Sequence, residues 1–499
     1  LNSPTASQHV IVIGAGFAGL SAATSLAQRG YRVTLLEKNE GPGGRARVFQ
    51  AEGFTFDMGP SWYWMPDVFE KYFARFGRSV SDYYELLRLD PSYQVVFGPG
   101  DAVDIPAKMA ELRQLFEHYE PGSAVRLDEF LKQAAYKYEV GINRLVYAPS
   151  RSLLEFADPK LLLDMVRMDV LQSMHKHVRR FFTHPKLLQL VEFPILFLGA
   201  TSQNTPALYS LMNYADLALG TWYPKGGMHQ IVRGMVQLAQ EQGVTLEYNQ
   251  EVQEIVVENG RATGVQTAAG FRAADVVVAG ADYHHAEQHL LKPAYRHYDE
   301  AYWDKRTMAP SSLLFYLGVN KCLPKLRHHN LFFDEDFQQH AHEIYEQPQW
   351  PSKPLFYASA PSKTDPSVAP EGCENLFLLV PVAPDLADPE ETRERYYHQI
   401  MDRLEQHVGE NIRDSVVFKR SYAHRDFVAD YHSYKGNAYG LANTLRQTAI
   451  LKPTLKSKKV SNLYFTGQLT VPGPGVPPSL ISGQVVAGEV EKEQGLARK

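Results

Sequence analysis

The apolar and polar positions follow different periods in different parts of the chain. Residues 9–13, His-Val-Ile-Val-Ile, form a short, mostly apolar run ending at Gly14, the pattern of a strand buried on both faces. Residues 17–29 are small or helix-compatible, and Gly30 marks the stop of the predicted helix. Residues 32–37 repeat the strand pattern, so the chain opens with a right-handed βαβ unit. From about Asp90 to Thr221 the pattern turns mostly helical, with helical spacing over 109–119, 127–145 and 153–182. A strand-rich block follows over 244–281. In it Asn259-Gly260 separates two apolar runs, the signal of a tight hairpin, and 274–280 reads as a buried strand. Residues 310–384 mix strands and loops. Residues 463–467 read as a strand entering a Pro/Gly-rich loop, with a helix from about Ser479. A discontinuous nucleotide-type fold is expected, drawn from 8–90, 222–290 and 440–495. A mostly helical region, 91–221, and a mixed α+β region, 291–439, are inserted as substrate elements.

The loop Gly14-Ala15-Gly16-Phe17-Ala18-Gly19 lies where the first strand meets the first helix. That context turns a weak G-x-G-x-x-G match into a dinucleotide fingerprint. Gly14 permits the tight turn, Gly16 lets backbone approach a pyrophosphate, and Gly19 lets helix and strand pack closely. The helix start offers free N–H groups and the positive end of a dipole. Glu37, at the end of the second strand, is placed to hold ribose hydroxyls. NAD and FAD share these features.

The next segment separates them. Glu37-Lys38-Asn39-Glu40-Gly41-Pro42-Gly43-Gly44-Arg45 resembles the Gly-Gly-Arg motif of the FAD-dependent amine oxidases and carotenoid desaturases. Gly43 and Gly44 admit backbone near the cofactor, and Arg45 offsets pyrophosphate charge. Four further blocks resemble bacterial phytoene desaturases, in family order along nearly the whole chain. They are Asp57-Met58-Gly59-Pro60-Ser61, Tyr223-Pro224-Lys225-Gly226-Gly227-Met228, Ala369-Pro370-Glu371-Gly372-Cys373, and the run from Asn462 through Gly467 to Gly473, Gly475 and Pro477. Leu469 departs from the small residue of many relatives. The resemblance implies an α/β, Rossmann-like FAD-binding domain with inserted helical and mixed α+β substrate regions. It adds Lys38, Gly59, Pro60, Ser61, Val252, Gly467, Gly475 and Val476 to the expected cofactor-binding residues.

The activity implied is FAD-dependent desaturation of a carotenoid precursor, phytoene to lycopene or an intermediate, with oxygen or a quinone as electron acceptor. Action on another carotenoid, isomerisation or saturation, and a non-enzymatic prenyl-binding escort role are the alternatives. A hydrocarbon substrate offers no charge to grip, so its binding rests on buried apolar area, about 25 cal/mol per Å2. Trp62, Trp64 and Phe197 are the candidate substrate contacts. Asp57 is the candidate proton acceptor, with bonding to turn N–H groups as its alternative role.

Composition narrows the remaining choices. At 499 residues the chain holds two or three subdomains and a large buried cofactor, and its net charge of −5 gives no case for nucleic acid. Two cysteines, Cys322 and Cys373, cannot make a disulfide framework and suit a reducing, cytoplasmic compartment. Neither they nor His175, His177, His284 and His285 show metal-site spacing, so no metal is expected. The opening Leu1-Asn2-Ser3-Pro4 lacks a signal-peptide pattern, and no apolar run reaches the roughly 18 residues of a membrane span. Membrane contact would be peripheral, on the inner face. Residues 153–182, with Lys176, Arg179 and Arg180 near the end, could lie in a membrane interface or pack as an ordinary surface helix.

Overall fold

The computed structural model describes residues 8–151, 172–198, 201–444 and 447–495, with side chains except at 144 and 196–198. A parallel sheet of five strands runs in the order Leu463–Phe465, Val276–Ala279, His9–Ile13, Arg32–Leu36 and Thr245–Glu247. His9–Ile13 is central, and Val10, Ile11 and Val12 are fully buried, as an unbroken apolar run requires. The helix Phe17–Gln28 lies against the C-terminal helix Val476–Gln494 with backbones nearly touching. The Ser21 hydroxyl donates to the Leu480 carbonyl at 2.7 Å across this contact. A three-stranded antiparallel sheet, Val252–Glu258, Arg261–Thr267 and Gly270–Ala273, packs beside the parallel one. Asn259 and Gly260, at φ 50° and 73°, make its first turn as the sequence predicts.

The second body is a seven-stranded sheet. Its order is Val416–Tyr422, Ser311–Val319, Glu374–Val382, Phe356–Ser359, His329–Phe332, Tyr93–Gly98 and Asp101–Ile105. Ser311–Val319 is buried at all nine positions because sheet neighbours and both faces are covered. The last two strands differ from the helical reading of 91–221. Tyr93–Gly98 pairs in parallel with His329–Phe332, a partner too distant in sequence for local periodicity to show. Helices then follow as expected at Met109–Tyr119 and Ser123–Val140.

Two other boundaries move. The C-terminal helix starts at Val476 rather than near Ser479, because Pro477 and Pro478 occupy its first turn, where no backbone N–H has an intrahelical partner. The strand-rich block 244–281 gives way at once to a short helix, Tyr283–Gln288, capped by Asp282 and holding His284 and His285. Residues 153–171 of the expected 153–182 helix lie outside the described residues. Its described end is the short helix Met174–Val178, where Arg179 pairs with Glu192 at 2.6 Å. Among the described residues no helix is long and apolar enough to cross a membrane.

Candidate cofactor and substrate site

A cavity of about 380 Å3 runs from the glycine-rich loop to the inner face of the seven-stranded sheet. This lies within the range of small-molecule sites, about 300–1,000 Å3. At one end the loop 14–19 does what its spacing implies. No atom lies within 4 Å of where a Cβ on Gly16 would stand, so backbone there faces open cavity. A Cβ on Gly19 would fall 1.9 Å from the Gly14 carbonyl oxygen, so only glycine lets the helix approach its strand. Gly14, Gly16, Phe17 and Ala18 line the cavity, while Ala15 and Gly19 stand behind it. The Ala15 N–H donates to Glu37 at 2.7 Å, and the other Glu37 oxygen accepts from the Asn39 N–H at 2.9 Å. Glu37 is thereby fixed in place at the cavity wall.

Arg45 enters beside this loop. Its Nη2 donates to the Ser433 hydroxyl at 2.7 Å and to the Asn437 carbonyl at 3.3 Å, while its buried Nε has no partner among the described residues. Burial pulls its pKa below the ordinary arginine value, opposed by the Asp282 carboxylate. A buried cation with an open donor, next to bare glycine backbone and a helix start, is a site for an anion. The start of the helix Val476–Gln494 opens on the same cavity, with Gly467, Gly475 and Val476 in the wall. Gly43, Gly44, Gly59, Pro60, Ser61 and Val252 also line it. Lys38 does too, with its ammonium donating to the Ala429 carbonyl at 2.6 Å. These donors and this open backbone fit the pyrophosphate of FAD.

At the other end, Trp62 and Trp64 line the cavity while Tyr63 turns away to stack on Phe69 at 4.5 Å. Alternation along an extended segment puts the two indoles on one side. Trp62 stacks on His329 with ring centres 4.2 Å apart, and the Trp64 Nε1 donates to the Thr221 hydroxyl at 2.9 Å. The opposite wall comes from Leu314, Tyr357, Phe377 and Leu379 on the seven-stranded sheet, and from Tyr439. No motif marks these residues in the sequence. The side chain of Phe197 lies outside the described residues. His285, also in the wall, stacks on His432 at 3.9 Å, and burial with the nearby His432 lowers it to about 3, so it is neutral.

Asp57 does not border this cavity. Its two oxygens accept the N–H groups of Met228 at 2.7 Å and His229 at 2.9 Å, at the start of the helix His229–Glu241. Burial raises its pKa to about 6 against those two bonds. Among the described residues no group of three or more His, Cys, Asp and Glu could hold a metal ion.

A second buried carboxyl supports the indole wall. Asp216 accepts from the Tyr93 hydroxyl at 2.8 Å and from Thr221 at 3.4 Å, and Thr221 in turn receives Trp64. Burial raises Asp216 from its ordinary 3.8 to about 7. The native state therefore keeps a proton that the unfolded chain loses, and this group lowers stability as the pH rises from 3.8 to about 7. Asp216→Asn is expected to flatten that decline in thermal unfolding measured across pH. Parallel pH profiles for the two proteins would refute the assignment.

Comparison with known proteins agrees with this geometry. The model of the flavin containing amine oxidoreductases matches residues 17–490. A carotenoid 3,4-desaturase of Haloarcula japonica is 44% identical over 97% of this chain and 98% of its own. A zeta-carotene-forming phytoene desaturase of Myxococcus xanthus is 33% identical over 97% of this chain and 94% of its own. Among solved structures, an oxidoreductase from Methanosarcina mazei has a TM-score of 0.60 at 18% identity, covering 96% of this chain and 100% of that one. A putrescine oxidase bound to putrescine has a TM-score of 0.59 at 14% identity, covering 98% and 100%. These two likenesses show the fold.

Proposed function

Because the chain belongs to the flavin containing amine oxidoreductase family, we propose that it is an FAD-dependent carotenoid desaturase acting on phytoene or a later acyclic intermediate. The observation that carries this reading is the continuous cavity joining the phosphate cradle to an apolar wall. The similarity to the Haloarcula japonica enzyme favours a substrate further along the series than phytoene. Bound FAD supplies the capacity to accept a hydride. Arg45, the Gly16 backbone and two helix starts would hold its pyrophosphate, and Glu37 would hold a ribose. Trp62, Trp64, Phe377 and Leu379 exclude water and align the polyene by apolar contact alone. Loss of hydride leaves cation-like character on the conjugated chain, which the π faces of the two indoles stabilise. The substrate is drawn from a bilayer by peripheral contact at the inner, cytoplasmic face, and electrons leave to oxygen or a membrane quinone.

The test is anaerobic incubation of FAD-loaded protein with phytoene, and separately with longer acyclic polyenes, in liposomes. Flavin bleaching matched by extracted pigments of greater conjugation is expected. A flavin that stays oxidised with every carotenoid, and pigments recovered unchanged, would sink the assignment. Reoxidation by oxygen and by quinone-bearing liposomes then identifies the acceptor.

A further inference from the structure

Desaturation releases a proton as well as a hydride, and the cavity wall is apolar over most of its extent. Among its polar groups is the hydroxyl of Ser61, on the loop that follows Asp57. Ser61 borders both the main cavity and a second, internal pocket of about 20 Å3. A pocket of this size suits one water, which requires roughly 10–15 Å3 and two to four polar partners. The partners are present: Asp57, Ser61, Ser359, Tyr223 and His328 all border it. Asp57 keeps some accessible surface, and it borders this pocket rather than the cavity. Ser61 also hydrogen-bonds the hydroxyl of Tyr357, which holds His329 Nδ1 at 2.6 Å and so fixes that side of the site.

We infer that Ser61 and one water in the small pocket carry the substrate proton from the main cavity to the carboxylate of Asp57. The inference rests on the desaturase reading. A C–H bond on a saturated carbon is far too weak an acid for serine, but the same bond next to a cation-like centre is strongly acidic. A neutral oxygen therefore suffices as its immediate acceptor once hydride has passed to oxidised flavin. The C–H pair becomes the new C=C bond, and the proton joins the Ser61 oxygen. The serine proton moves to the water, and a water proton moves to Asp57, which ends as the neutral acid. Serine and water are regenerated, and a bound flavin would supply the sink for the electron pair.

The groups around Asp57 leave it as the acceptor. His328 is held near 3 by burial, and the His229 ring, bonded to the Ala46 carbonyl at 2.8 Å, is also pulled below its ordinary value by burial. Burial pushes the Tyr223 phenol up, helped by Asp57 and Asp365. Asp365 is occupied by the Gly226 N–H at 2.6 Å and by Ser367. Asp57 alone combines a carboxylate, contact with the pocket and a pKa raised to about 6.

Infrared titration of the protein without substrate is expected to show a buried carboxyl with a midpoint near 6, absent in Asp57→Asn. In anaerobic single turnover, the protonated carboxyl band should grow with flavin bleaching. Ser61→Ala should slow bleaching by about a hundredfold without weakening polyene binding, and Ser61→Thr should restore part of the rate. The wild-type rate should rise with pH through about 6, and the residual rate of Asp57→Asn should lack that limb. Ser61→Ala also serves if Asp57→Asn unseats the helix His229–Glu241. A carboxyl that stays ionised through turnover, or an unchanged rate in Ser61→Ala, would overturn the route while leaving the desaturase standing. A wild-type protein that bleaches with no carotenoid removes both.

Discussion

Gly16→Val is expected to yield a folded but colourless protein, whereas Gly19→Val is expected to yield no folded protein at all. Gly16 has φ −76° and ψ 178°, a conformation open to any residue, and nothing lies within 4 Å of its Cβ position. The valine branch would stand where a pyrophosphate must meet backbone. Two charge-assisted hydrogen bonds lost, at about 1.5 kcal/mol or more each, weaken FAD binding by at least about a hundredfold. At Gly19 the obstacle is the Gly14 carbonyl oxygen at 1.9 Å, backbone that cannot swing aside. Relieving it separates the first helix from the central strand, at a cost of about 3 kcal/mol or more. Flavin absorbance and thermal unfolding of both variants check this. A Gly16→Val protein that retains its flavin would show that the anion does not lie there.

Arg393→Ala is expected to fold but to lose much of its stability. Arg393 is 2% exposed and pairs with Asp388 at 2.5 Å and Asp426 at 2.7 Å, with a bond of 3.3 Å to Ser421. Truncation strands the buried Asp388 carboxylate and costs about 3–5 kcal/mol. Asp426 is more exposed, so the lower part of that range is expected. The contact also ties the helix Glu390–Val408 to the helix His424–Tyr431, whose end brings Asp430 and Tyr431 to the cavity. Flavin retention should therefore fall along with the unfolding temperature. Replacing the whole group, with Arg393→Met, Asp388→Asn and Asp426→Asn combined, should recover most of the stability, because no buried charge is then left unpaired. If Arg393→Ala unfolds like the wild type, the ion network is not structural.

What the sequence announces about this molecule is local, and what it hides is distant. The run 9–13, the spacing of Gly14, Gly16 and Gly19, and the Asn259-Gly260 turn each state their conformation within a few residues, and the structure has all three. Trp62 and Trp64 stand out in the sequence by following directly on the loop 57–61, and both border the cavity. The partners of Arg45 are not: Ser433 and Asn437 lie 388 and 392 positions away, and neither sits in a motif. Tyr357, Phe377 and Leu379 read only as strand residues, since a run that is apolar on both faces does not say which face meets a ligand. Asp57 shows a different limit. Its residue type and neighbourhood suggest acid–base chemistry, but only the packing reveals that a helix start binds it and that a small pocket, rather than the main cavity, meets its carboxyl.

The contact between Ser21 and Leu480 joins residues 459 positions apart, and the strand Leu463–Phe465 completes the sheet begun by His9–Ile13. A ribosome making this chain must release it through about Leu480 before the flavin's own platform can close. Until then the central strand, apolar on both faces, waits without its outer neighbours, and slow assembly of such distant pairings exposes it to aggregation. Flavin capture is thus a late event in the life of the polypeptide. Supplying riboflavin during expression should matter less to the yield of active enzyme than slowing the growth of unfinished chains.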